Sequence, residues 1–132
     1  MTKIKILLAD DHDGFRRVLA SFLRSLPDVE LVGEAVDGID AIEQANRFLP
    51  DLVLMDVHMP RRNGIDAAKA IKGRIPRITV VMMSMDSSEN YARSASKVAD
   101  GYIPKSSMKM PLLSLLATQQ ARFVGTENTV AA

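Results

Sequence analysis

The chain has 132 residues, 47% hydrophobic and 25% charged, with a net charge of +1 and no cysteine. That composition fits one globular domain able to bury its own core, excludes disulfides and thiolate metal sites, and makes no electrostatic case for or against nucleic acid. No apolar run approaches the ~20 residues that cross a bilayer, and Met1-Thr2-Lys3 leads directly into a short apolar run closed by acids, so neither membrane span nor signal peptide is expected and the cytoplasm is the default.

In chain order, Ile4 to Ala9 is an apolar run broken only by Lys5 and closed by Asp10-Asp11-His12-Asp13. It reads as a strand followed by an acidic turn. Phe15, Val18, Leu19, Phe22, Leu23 and Leu26 then recur at three- and four-residue spacing, which predicts an amphipathic helix ending before Pro27. Asp13 is the expected cap of that helix. Val29 to Val36 reads as a second strand. Asp37-Gly38 reads as a turn, and Ile39, Ala41, Ile42, Ala45 and Leu49 as a helix stopped by Pro50. Leu52 to Met55 is a third strand, wholly apolar, that ends on Asp56.

A loop through Asn63-Gly64 leads to a short helix with Ile65, Ala68 and Ile71 inward, ending near Gly73 to Pro76. Ile78 to Met83 is a fourth buried strand that runs into Ser84. Asp86-Ser87-Ser88-Glu89 is a polar turn with capping residues. The helix over about Glu89 to Val98 has little apolar face. Tyr102-Ile103 is a short fifth strand. Pro111 is suited to the first position of a last helix carrying Leu112, Leu113, Leu115, Leu116, Gln119 and Phe123, with Gly125 as its stop. Residues 125–132 read as a disordered tail or the start of a linker.

Alternating strands and helices require a parallel sheet covered on both faces. The common five-strand solution is the flavodoxin-like (βα)5 doubly wound fold, strand order 2-1-3-4-5, with its crevice beyond strands 1 and 3. That order brings together the C-terminal ends of strands 1, 3, 4 and 5, which carry Asp10, Asp11 and Asp13, then Asp56, then Ser84, then Lys105. Carboxylates this close repel one another unless a cation is present. Mg2+ is the hard ion held by one or two carboxylates plus phosphate oxygens. A carboxylate nucleophile, a metal, a lysine and a hydroxyl are the parts that phosphoryl transfer to an aspartate requires.

In this set Leu7-Leu8-Ala9-Asp10-Asp11-His12, Leu54-Met55-Asp56-Val57-His58-Met59-Pro60, Asn63-Gly64, Met83-Ser84-Met85 and Gly101-Tyr102-Ile103-Pro104-Lys105 stand in order. Jointly they resemble the receiver domain of bacterial two-component response regulators, over about residues 3–124. The opening Ala-Asp-Asp-His, Val32-Gly33-Glu34-Ala35 and Ser84-Met85 are most similar to receivers of NarL-type (LuxR-tailed) transcription regulators. The resemblance implies that residues 1–124 form the receiver domain. Asp56 would be the phosphoacceptor for a sensor histidine kinase. Asp11 and Asp56 would bind Mg2+ directly, Asp10 through water, and His58 through its backbone carbonyl. Lys105 would bridge to the phosphoryl group. Ser84 and Tyr102 would switch the face made by helix 4, strand 5 and helix 5. The domain would not be an enzyme in its own right, beyond contributing to its own phosphorylation and dephosphorylation.

The chain departs from that pattern in places. Val98 stands where a glycine is expected, helix 4 is serine-rich, and Pro104 precedes Lys105 where the family commonly has a lysine followed by proline. The dense leucine row of helix 5 is a candidate homodimer face. The expected output is transcription through a C-terminal helix-turn-helix domain absent from residues 1–132. A stand-alone receiver acting by protein contacts is the alternative. DNA binding by this chain itself is not expected, since no helix-turn-helix or basic face is visible. An aspartate-nucleophile phosphatase would need a second acid near the nucleophile and a lid, but position 58 is His and no cap insertion exists. A docking module that keeps only the fold would not need the intact Asp10, Asp11, Asp56, Ser84 and Lys105 set. His12 and His58, one imidazole on each of two loops, lack further ligands for a metal pair. His58 is better read as lining the site and setting the lifetime of the phosphoryl group.

Overall fold

The computed structural model describes residues 3–85 and 89–119, with the backbone alone for 89–92. Its parallel sheet consists of β1 (Ile4–Ala9), β2 (Val29–Ala35), β3 (Leu52–Asp56), β4 (Thr79–Ser84) and β5 (Gly101–Pro104). They lie in the order β2-β1-β3-β4-β5. The helices are α1 (Asp13–Ser25), α2 (Gly38–Phe48), α3 (Gly64–Arg74), α4 (Glu89–Val98) and α5, helical over the described residues 109–119. A 3-10 turn, Lys105–Ser107, follows β5 directly. The expected fold class is the observed one.

Side-chain alternation along the strands builds two cores. Leu7, Ala9, Val53, Met55, Val80 and Met82 point to one face, where Ala41, Ala45, Ala67, Ala68, Ile71 and Ala95 cover them. Ile6, Leu8, Leu52, Leu54, Val81 and Met83 point to the other, under Leu19, Leu23, Leu112 and Leu116. Both faces are apolar because both are covered, which is why β3 and β4 are buried at every position. Each such aliphatic side chain contributes about 1.5–3 kcal/mol of burial. An offset between Ile6 and Leu7 in the pairing with β2 brings Glu34 opposite Leu8, at the end of the sheet that carries the acids.

Several expectations change at the element ends. His12, not Asp13, caps α1: its Nδ1 accepts the Phe15 N–H at 3.1 Å. Asp13 is instead the first helical residue and pairs with Arg16 at 2.6 Å. Asp37, read as part of a turn, is the N-cap of α2 and accepts the Asp40 N–H at 2.8 Å. Pro111 does not open α5, which begins at residue 109. Proline is still accommodated there, because N–H groups of a first helical turn have no intrahelical acceptor; the Leu112 N–H bond to Met108 O follows it. Among its described side chains, the serine-rich α4 packs through the fully buried Ala95, with Val98 and Ala99 half-buried against the same core. The leucine row of α5 serves mainly the core: Leu112 and Leu116 are buried and Leu113 and Leu115 half-buried. Gln119 is buried as well and donates to Thr79 Oγ1 at 3.1 Å. The turn at 86–88, Phe123, Gly125 and the 125–132 segment lie outside the described residues.

Candidate functional site

The C-terminal ends of β1 and β3 are adjacent, with Ala9 opposite Met55. The next residue on each strand is an aspartate, so Asp10 and Asp56 are side by side. Asp10 is fully buried and Asp56 is 5% exposed. Burying two carboxylates costs several kcal/mol unless charge is supplied. Lys105, on the 3-10 turn after β5, supplies it: Nζ lies 2.7 Å from Asp10 Oδ2 and 3.3 Å from Asp56 Oδ2, with its side chain only 4% exposed. Backbone N–H groups take the other oxygens. His12 N donates to Asp10 Oδ1 at 2.9 Å and His58 N to Asp56 Oδ1 at 3.2 Å. Arg16 on α1 fixes the backbone here, donating to the Asp10 carbonyl at 2.8 Å while pairing with Asp13 and Glu34.

The charge does not balance. Asp11, exposed, adds a third carboxylate, and one oxygen from each of Asp10, Asp11 and Asp56 lies within 4.8 Å of the others. Asp10 Oδ2 is buried and, although close to the ammonium, has no hydrogen-bond partner of good geometry. Burial, then the charge of Asp10, push the Asp56 carboxyl up to about 6 against the pull of Lys105 and the His58 N–H. Buried acids with an under-satisfied oxygen and a raised pKa are what a divalent cation would complete, and an all-oxygen donor set suits a hard one.

The loop carrying His58 is held by close backbone approach and by charge. A Cβ on Gly64 would collide with the Asp56 carbonyl, so only glycine lets α3 begin there. Arg61 adopts φ 64° and pairs with Asp37 through Nε–Oδ2 at 2.8 Å. The Arg61 guanidinium, followed by the Asp40 N–H, holds the Asp37 carboxyl below its usual range. Strain in that left-handed residue is thus met by an ion pair to the neighbouring α2 cap.

Of the residues singled out from the sequence, Asp10, Asp11, Asp56 and Lys105 converge. Ser84 is the buried last residue of β4, one past Met83, which pairs with Asp56. Tyr102 is half-buried on β5, opposite Met82, and packs against the core shared with α2 and α3. His58 is exposed, with its N–H turned to Asp56. The His12 imidazole is taken up by the α1 cap, and among the described residues the cluster of possible metal ligands is Asp10, Asp11 and Asp56, without a histidine. Two contributors were not singled out for the site: Arg16, and Phe15, whose ring centroid lies 4.5 Å from Lys105 Nζ. Periodicity marks Phe15 only as a core-facing helix residue; no local signal links it to a lysine 90 positions away.

Comparison with known proteins agrees with this fold. The family described as response regulator receiver domain matches residues 6–117. A protein-glutamate methylesterase/protein-glutamine glutaminase of Pyrococcus horikoshii is 40% identical over 113 residues, 83% of this chain and 30% of that protein. The response regulator protein VraR of Staphylococcus saprophyticus is 39% identical over 104 residues, 77% of this chain and 49% of that protein. The chain thus spans between about a third and a half of the curated relatives it matches. Among solved structures, the signal receiver domain of the putative response regulator NarL from Mycobacterium tuberculosis superposes with TM-score 0.82 at 28% identity, covering 89% of this chain and 98% of that one.

Proposed function

Because the chain belongs to the response regulator receiver domain family, we propose that it accepts a phosphoryl group on Asp56 from a sensor histidine kinase in a Mg2+-dependent reaction. One observation carries the reading: a buried lysine bridges two buried aspartates at the C-terminal edge of the sheet, beside a third. A carboxylate oxygen of Asp56 would attack phosphorus as the P–N bond to the kinase histidine breaks, the electron pair leaving on the imidazole. Asp11 and Asp56 would hold the Mg2+ directly, with the His58 carbonyl, and Asp10 through water. The under-satisfied Asp10 Oδ2 and the crowded carboxylates fit such an ion. When bound, it supplies positive charge to the phosphoryl oxygens as negative charge shifts onto them. Lys105 already sits at Asp56 Oδ2 and can pass from carboxylate to phosphoryl oxygen with little movement.

Ser84 and Tyr102 are the residues that would report the change, Ser84 by bonding a phosphoryl oxygen and Tyr102 by moving inward. The face of α4, β5 and α5 would then present the altered state. Residues 1–124 are the proposed receiver unit and 125–132 its tail or linker. The output is proposed to be transcription, through a C-terminal helix-turn-helix domain and a homodimer in the whole protein. Relatives named response regulator protein and transcriptional regulatory protein support this. A stand-alone receiver acting by protein contacts is the second reading. Either acts in the cytoplasm, and none of the helices among the described residues is long and apolar enough to cross a membrane. Incubation with acetyl phosphate and Mg2+ followed by intact mass is the test. The expected result is one base-labile phosphoryl group, not formed when Mg2+ is chelated beforehand and absent in Asp56→Asn. Uptake by Asp56→Asn, or none by the wild type, would contradict the reading.

A further inference from the structure

We propose that Phe15 is a positioning residue for the reaction at Asp56, acting through Lys105; the inference rests on the phosphoacceptor reading above. The Lys105 ammonium is enclosed on three sides. Asp10 Oδ2 lies at 2.7 Å, Asp56 Oδ2 at 3.3 Å, and the Phe15 ring centroid at 4.5 Å. A lysine side chain only 4% exposed has nearly lost its hydration shell. The two carboxylates meet it on the sheet side. On the α1 side, where water would otherwise solvate it, it faces the negative π-surface of a phenyl ring.

The ring does not depend on Lys105 for its own placement. Phe15 N–H is bound by the capping His12 Nδ1 at 3.1 Å, and the next residue, Arg16, ties α1 to the Asp10 carbonyl at 2.8 Å. The first turn of α1 is therefore fixed to the same strand end that carries the acids. Beyond the ring lies an apolar groove between α1 and α5, about 220 Å3 in volume, lined by Val18, Phe22, Met108 and Leu112 among others; Phe15 and Lys105 both border it. The ring lies against the ammonium at the edge of that groove, 4.5 Å from Nζ to centroid. With an aliphatic residue at position 15, water entering from the groove would compete with the carboxylates, and the flexible four-carbon stem would let the ammonium leave Asp56. The contact would then set how often Lys105 stands where the phosphoryl oxygens arrive, without touching them.

Four variants test this: Phe15→Leu, Phe15→Trp, Lys105→Ala and Phe15→Leu/Lys105→Ala. The measured quantities are the acetyl-phosphate rate constant at saturating Mg2+, Mg2+ affinity and thermal midpoint. Phe15→Leu is expected to slow phosphorylation roughly 3- to 30-fold, the range a cation–π contact spans. Mg2+ affinity should stay within about two-fold, and Phe15→Trp should stay near wild type. In the Lys105→Ala background, Phe15→Leu should change the rate less than about two-fold, the signature of acting through that residue. Equal slowing in both backgrounds, or no slowing in either, overturns the proposal. NMR of the Lys105 methylene and ammonium protons gives a second readout. They should be shifted upfield by the ring in wild type and Phe15→Trp and released in Phe15→Leu. Absence of that shift in the wild type overturns the contact whether or not the protein is phosphorylated. A wild type that takes up no phosphoryl group defeats the phosphoacceptor reading instead.

Discussion

Two lysines pair with aspartates at opposite ends of the sheet, and they are in opposite electrostatic conditions. At the N-terminal ends of β4 and β5, Lys72 Nζ donates to Pro76 O and Ile78 O, both at 2.9 Å, and meets Asp100 Oδ2 at 3.0 Å. Asp100 Oδ2 also accepts the Val80 N–H at 2.8 Å, and Asp100 N–H returns to Val80 O at 2.8 Å. One cation meets one anion there, and the groups at hand are partnered. At the C-terminal ends, Lys105 faces two buried aspartates with a third beside them, and one buried oxygen lacks a hydrogen bond. The first cluster is complete as built and clamps α3, β4 and β5 together. The second holds three carboxylates against one ammonium, the arrangement a divalent cation would complete. That deficit is what separates a structural ion pair from a candidate site made of the same residue types.

Breaking each cluster should separate them. The largest effect is expected for Lys105→Met. It should slow phosphorylation about 100-fold or more, as loss of a preorganised charge does. It should also destabilise the Mg2+-free protein by about 3 kcal/mol, because two buried carboxylates lose their counter-charge. Denaturant unfolding should show part of that loss recovered in Mg2+. Lys72→Met should cost about 2 kcal/mol by the same assay, with or without Mg2+, since it strands carbonyls and one partly exposed carboxylate; its phosphorylation rate should match wild type.

The third effect is smaller and has the opposite sign. The Asp56 carboxyl titrates near 6 in the fold, against 3.8 for an ordinary aspartate, chiefly from burial and then from Asp10. Between those values the folded protein holds more protons than the unfolded chain, so without metal its stability falls as pH rises from about 4 through 6. Asp56→Asn removes that loss. Allowing for solvent screening, it should gain about 1 kcal/mol at pH 7 in chelator, with a flatter pH profile than wild type. A variant less stable than wild type under those conditions would contradict the charge-deficit picture.

The two ends were not equally readable in the sequence. The strands were legible because short apolar runs ended abruptly on polar or turn-forming residues, as at Asp10, Asp56 and Ser84. Ile4–Ala9 and Glu89–Val98 have the expected bounds at both ends. The acidic crevice followed from strand order alone, which fixes the neighbours of Asp56 whatever the side chains do. The parts that escaped depend on contacts without local pattern. His12 capped a helix although its neighbour Asp13 belongs to the preferred capping types. Lys72 reached Asp100 across 28 residues and Phe15 reached Lys105 across 90. The leucine row of α5 reads as surplus apolar surface until the sheet face beneath it is placed; the exposed apolar side chains include Val18 at 73% and Met110 at 72% instead.

A Mg2+ titration followed by amide NMR of the metal-free protein tests the central claim most directly. Saturable shifts should appear at residues 10–12, 56–59 and 105, and be lost in Asp11→Asn, while Lys72, Val80 and Asp100 stay still. Unsaturating shifts, or equal shifts at both ends of the sheet, would contradict the account of one finished cluster and one that awaits a cation.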